Sequence, residues 1–160
     1  MNIKTLGALA ALALLSACAS KPVDQPNAGG GGGAQTTTSA IMPGSQEDFV
    51  ANVGDRVFFE FNKSALTSDA QATLAKQASW LSKYPANKLS IAGNADERGT
   101  EEYNLALGSR RANAARDYLV AKGVAAARLT TISYGKDRPV ALGSNEQAWA
   151  QNRNAIAVVK

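Results

Sequence analysis

Between Lys21 and Ser39 the chain holds nothing from which a core could be made: Lys21-Pro22, Gln25-Pro26-Asn27, five glycines from Gly29 to Gly33, and the tract Thr36-Thr37-Thr38-Ser39. A stretch of this composition buries too little apolar surface to offset the entropy lost on ordering it, so residues 18–48 read as a flexible tether. At about 5–6 Å times the square root of the residue count, its typical reach is about 30 Å. The glycine run is not a phosphate cradle, because no Lys-Ser or Lys-Thr follows it and neither a strand nor a helix flanks it. Any fold must therefore be built from residues 49–160, a single domain of a size that can support its own core.

Within that remainder, elements of two types alternate. Arg56-Val57-Phe58-Phe59-Glu60-Phe61 predicts a strand that Asn62 ends. Ser68 with Gln71 has the form of a capping box, and Ala70, Leu74, Ala78 and Leu81 recur at helical spacing until Pro85. Lys88 to Ala92 alternates as a second strand. Thr100, followed by Glu101 and Glu102, predicts the start of a helix, with a hydroxyl to cap free N–H groups and carboxylates at the positive end of the dipole. That helix is expected to bury Leu105, Ala112, Ala115 and Leu119 and to run to Lys122 before Gly123. Leu129–Tyr134 and Ala155–Val159 read as two more strands, with a short helix from about Asn145 to Gln151 between them. Phe58, Phe59 and Phe61 read as core, and Trp80 and Trp149 as packing residues. The order β-α-β-α-β-β places the domain in the α+β class, with helices on one face of a mixed four-stranded sheet.

Ahead of the tether, Lys4 supplies a positive start, Leu6 to Leu15 an apolar run too short to remain in a bilayer as a spanning helix, and Leu15-Ser16-Ala17 a small-residue cleavage site. Residues 1–17 thus read as a secretory signal. Cys18, the sole cysteine, follows at once, which excludes an intramolecular disulfide. The run Leu15 to Cys18 resembles the lipobox of bacterial lipoproteins, and that resemblance implies acylation of Cys18, palmitate included. Ala19, rather than Asp, at the second mature position implies the outer membrane by the same resemblance. A chain so modified is anchored to a membrane without spanning it.

The residue inventory narrows the chemistry. A net charge of +4 suits an anionic polymer or a membrane surface, but no dense basic run interleaves with aromatics, so nucleic acid is not a partner. With no histidine and one cysteine, histidine-dependent triads and the usual zinc sites are excluded, and no cofactor is expected. A wall-active hydrolase using Asp96 with Glu97 or Glu101 is the enzymatic alternative. Asp96 beside Arg98 should stay ionised and make a poor acid, so a non-enzymatic reading is preferred.

The stretch Gly93-Asn94-Ala95-Asp96-Glu97-Arg98-Gly99-Thr100 carries the function. Asp96 and Arg98 lie in a loop just before the helix, and Asn104, Gly108 and Arg111 form one stripe along it at i, i+4 and i+7. An acid and a base facing one mouth form a receptor for a zwitterion, and Gly108 leaves room for a ligand or another backbone. The pattern Asp96-x-x-Gly99-x-x-x-x-Asn104-x-x-Leu107-x-x-x-Arg111-Ala112 resembles the signature of OmpA-like peptidoglycan-binding domains. The fuller string from Gly93 through Ala114 is most similar to the peptidoglycan-associated lipoproteins, over residues 53 to 160. That resemblance implies non-covalent binding of the meso-diaminopimelate of peptidoglycan, with Asp96 taking its ammonium and Arg111 its carboxylate. Asn104, Arg98, Arg153 and Asn62 are the further ligand-binding candidates. It also implies TolB and other Tol proteins as partners, and a part in envelope integrity and constriction during division. The alternative is another OmpA-like envelope lipoprotein that binds the wall for a different machine. Asn62, Asn94 and Asn154 depart from the family's pattern, which has Asp, His and Arg at those places.

Overall fold

A serine fixes where the first helix of the described residues begins. Ser45 accepts a hydrogen bond from the Asp48 N–H and caps α1, Gln46–Asn52. The computed structural model describes residues 41–160, so the expected signal peptide, Cys18 and the tether up to residue 40 lie outside the described residues. The boundary expected at 48/49 falls inside α1. This helix was not foreseen, because seven residues with one deeply buried apolar side chain leave no period to read. Phe49 anchors it, fully buried and edge-on to the Trp80 ring at 4.9 Å, while Asp48 accepts the Trp80 indole N–H at 2.8 Å.

β1, Arg56–Phe58, is followed by α2, Ser68–Lys83. Thr67, not Ser68, caps α2, accepting from the Ala70 N–H, and the Gln71 side chain turns to the Leu66 carbonyl instead of closing a capping box. β2 spans Leu89–Asn94, and α3, Glu101–Ala121, starts on Thr100 as expected. Lys122 is the C-cap of α3, and Gly123 takes the left-handed conformation, φ +95°, that suits the chain leaving a helix. A 3-10 turn, Ala126–Arg128, leads into β3, Leu129–Gly135; Asn145 caps α4, Glu146–Asn152, and β4, Asn154–Val159, closes the chain. Among the described residues no helix is long and apolar enough to cross a membrane.

The sheet runs β1-β4-β2-β3, with β4 antiparallel to both neighbours and β2 parallel to β3. Alternation along the strands sends Val57, Leu89, Ile91, Ala155 and Ala157 to one face, where α2 and α3 lie and where Leu74, Leu81, Ala112, Ala115 and Leu119 meet them. The α+β architecture and mixed four-stranded sheet expected from the sequence are both present. Two local readings are corrected. The first strand is half the expected length: its bonding toward the β4 side goes no further than the Phe59 N–H, which meets the Arg153 carbonyl, and the chain then turns at Asn62, which adopts φ +58°. On α3, Leu105 is exposed and Leu107 is buried, because the buried stripe follows Asn104, Gly108, Arg111 and Ala115.

Candidate functional site

Two glycines set the depth of the site. A Cβ on Gly93 of β2 would overlap the Gly108 carbonyl oxygen of α3, and one on Gly108 would stand 2.4 Å from the Ser133 Oγ of β3 and 2.6 Å from the Gly93 carbonyl oxygen. Helix and strand therefore meet backbone to backbone, and it is the sheet, not a ligand, that needs the missing side chain at Gly108. The close approach lays the stripe Asn104–Arg111 against the end of β2, beside the loop that carries Asp96 and Arg98.

There a cavity of about 350 Å³ opens, with Asn62, Asp96, Arg98, Asn104 and Arg111 in its walls. Five of the six candidate residues are thus brought together from three separate segments. Arg153 does not line the cavity. It lies behind Asp96, donating from Nη1 to Asp96 Oδ2 at 3.4 Å, from Nη2 to Glu146 at 2.7 Å and from Nε to the Phe59 carbonyl at 3.1 Å.

Arg111 is fully buried. Its Nε donates to the Lys63 carbonyl at 2.9 Å, Nη1 to the Asn94 carbonyl at 2.8 Å and Nη2 to the Glu60 carbonyl at 3.1 Å. One guanidinium so fastens the loop after β1 to the end of β2. Burial pushes its pKa down to about 10, opposed by the charge of Asp96, and at neutral pH the group remains a cation. Of its five N–H bonds, two have no protein partner among the described residues, and the residue lines the cavity.

Asp96 is also buried, and burial alone would raise its pKa. The Arg98 guanidinium at 2.8 Å and the Arg98 backbone N–H at 3.1 Å, with Arg153 behind, outweigh that effect and hold the carboxyl below its ordinary value. Its direct ion partners are Arg98 and Arg153, and not Arg111. Arg98 itself is stacked between two rings, its guanidinium carbon 4.0 Å from the centre of Phe61 and 4.1 Å from that of Trp149. Asn104 donates to the Arg98 carbonyl at 2.9 Å and so braces the loop, while Asn62 accepts from the Tyr103 hydroxyl across the cavity mouth.

Sequence reasoning missed the aromatic part of this site. Phe61 was read as core, yet it is 55% exposed and lines the cavity, because the strand that would have buried it stops at Phe58. The turn residue Asn62 directly after it was the available signal. Trp149 reaches Arg98 and donates to Glu97 at 3.0 Å, a meeting across half the domain that no local pattern marks. Among the described residues no group of acidic, cysteine or histidine side chains is placed to hold a metal ion. Two of the departures from the family's pattern are partners: the Asn94 Nδ2 donates to Asn154 Oδ1 at 2.7 Å.

Residues 58–153 match the OmpA family. Over 152 residues the chain is 52% identical to the peptidoglycan-associated lipoprotein of Mesorhizobium japonicum, covering 95% of this chain and 89% of that protein. It is 53% identical over 148 residues to the peptidoglycan-associated lipoprotein of Rhizobium meliloti, covering 91% and 81%. Among solved structures, the peptidoglycan-associated lipoprotein from Burkholderia pseudomallei superposes with a TM-score of 0.65 at 45% identity, covering 66% of this chain and 90% of that one. The C-terminal domain of Helicobacter pylori MotB gives a TM-score of 0.62 at 21% identity, covering 66% and 84%, a likeness of fold alone.

Proposed function

Because this chain belongs to the OmpA family, and within it to the peptidoglycan-associated lipoproteins, we propose that it is a non-enzymatic envelope lipoprotein that grips peptidoglycan without covalent attachment. The observation that carries this reading is the single cavity in which Asp96 and Arg111 stand together, with Asn62, Arg98 and Asn104 in the same walls. The free end of meso-diaminopimelate offers one ammonium and one carboxylate. Asp96 accepts from the ammonium, and the two remaining Arg111 N–H bonds donate to the carboxylate. Arg98 and Asn104 shape the loop, Asn62 stands at the mouth, and Arg153 holds Asp96 from behind. A hydrolase is disfavoured, since Asp96 is held ionised between two guanidinium groups and has no proton to give.

The remaining parts fit the same reading. Cys18 carries the lipid that fixes the chain to the outer membrane, the residues between it and α1 span the gap, and the domain works in the periplasm. Each hydrogen bond to a charged group contributes about 1.5–3 kcal/mol, so one site is of moderate strength. Many tethered copies facing one polymer raise the overall grip through effective concentration. TolB and other Tol proteins are the proposed partners that link this grip to envelope integrity and constriction.

The test is co-sedimentation of the full chain with purified sacculi, with free diaminopimelate as competitor and Asp96→Ala as the variant. Pelleting that is lost in both comparisons supports the site. A wild-type chain that stays in the supernatant overturns the reading, and pelleting indifferent to both moves the site elsewhere.

A further inference from the structure

The face of the sheet opposite α2 and α3 is uncovered among the described residues, and it is apolar. Phe58 of β1, Ile132 of β3 and Val158 of β4 are 41%, 43% and 38% exposed there. A groove of about 480 Å³ crosses β3, β2 and β4 on this face, and the segment Arg138–Val140 bounds it at one end. Its walls are Ala92, Ile132, Val140, Ile156 and Val158, and its charged members, Arg138 and Lys160, are both cations. Arg138 is stationed over the Tyr134 ring at 3.6 Å, so its charge is held at the rim.

Beneath the groove lies a buried amide pair. Alternation along β2 turns Asn94 outward with Ser90 and Ala92, and Asn94 is 3% exposed. Its Nδ2 donates to Asn154, but its Oδ1 has no hydrogen-bond partner among the described residues. Buried polar atoms are rarely left so. The groove therefore asks for aliphatic groups along its length and negative charge at its rim. A bilayer surface is broad and flat, whereas this groove is closed at one end by Arg138–Val140 and suits a narrow occupant. An extended polypeptide fits that shape, with alternate aliphatic side chains turned inward and acidic residues beside the two cations.

We infer that this face docks an extended, acidic, aliphatic-rich segment of a partner protein, at a site separate from the cavity beside Asp96. The test uses the full chain in detergent micelles and two fluorescein-labelled octapeptides, one alternating leucine with glutamate and one alternating leucine with lysine, read by anisotropy. Vesicles of phosphatidylglycerol form a third arm. The wild type binds the glutamate peptide saturably and prefers it to the lysine peptide, and saturating diaminopimelate does not displace it. Ile132→Glu and, separately, Arg138→Glu each weaken binding by about tenfold or more through like-charge repulsion. Both positions are exposed, and thermal melting confirms that each variant folds. Absence of saturable binding, equal binding of the two peptides, indifference to both substitutions, or capture of vesicles but not of peptide would each overturn the inference.

Discussion

Replacing Arg111 with alanine should destabilise the domain, and the structure sets the size of the effect. The carbonyl of Asn94 is buried where it meets Nη1, so losing its donor costs about 1–3 kcal/mol. The carbonyls of Glu60 and Lys63 belong to exposed residues; water can replace the guanidinium there, and about 1 kcal/mol is lost at each. Removing a buried cation returns part of this, since burial already depresses the Arg111 pKa to about 10. The balance is about 2–4 kcal/mol, which for a domain of this size lowers Tm by about 8–20 °C. Arg111→Lys should recover less than half, because one ammonium cannot reach three carbonyls in different directions. Circular dichroism melting of both variants reads the magnitude, and amide hydrogen exchange over residues 60–63 reads its place. If Arg111→Ala melts with the wild type and its loop exchanges no faster, the three bonds do not hold the loop and the reasoning fails. Wall binding lost in Arg111→Ala is consequently ambiguous without the melting curve, whereas free diaminopimelate competes without touching the fold.

Gly93→Ala should be among the most damaging single-methyl changes, at about 3–5 kcal/mol, since the new Cβ meets a helix carbonyl that cannot move alone. A soluble protein melting within a few degrees of wild type would contradict the backbone-to-backbone contact. The depressed pKa of Asp96 gives a pH dependence of defined sign. Its contribution is present above the unfolded value of about 3.9 and is lost as pH falls through the lower folded value, so an acid limb in stability lies below about pH 4. Asp96→Asn should flatten part of that limb in urea titrations between about pH 2 and 7, and a limb of unchanged depth would show that the pair with Arg98 adds nothing.

The fold was legible where period and punctuation agreed. Pro85, Gly123, Thr100 and the 3.6-residue recurrence in α2 marked real boundaries, because each acts through local sterics or a local cap. Phase was harder. Leu105 and Leu107 differ by two positions, and which one faces inward follows from the glycine contact between Gly108 and Gly93, a tertiary fact. At the site, the charged residues could be gathered from their motif, but their pairing could not. Arg111 lines the cavity with Asp96, and it also bonds three carbonyls that belong to no motif. The rings around Arg98 come from segments far apart in the chain, so nothing short of the folded sheet brings Phe61 and Trp149 to one guanidinium.

The pair Asn94–Asn154 has a consequence for how such chains can vary. Asn94 offers its carbonyl to Arg111 on one side of the sheet and its carboxamide to Asn154 on the other. Asn154 in turn donates to the Gln151 carbonyl at 2.7 Å and ties the end of α4 to the strand that follows. A change at either position leaves the other amide without this partner deep in the sheet, so the two positions are energetically one unit: a double-mutant cycle of Asn94→Ala and Asn154→Ala should show a coupling well away from zero.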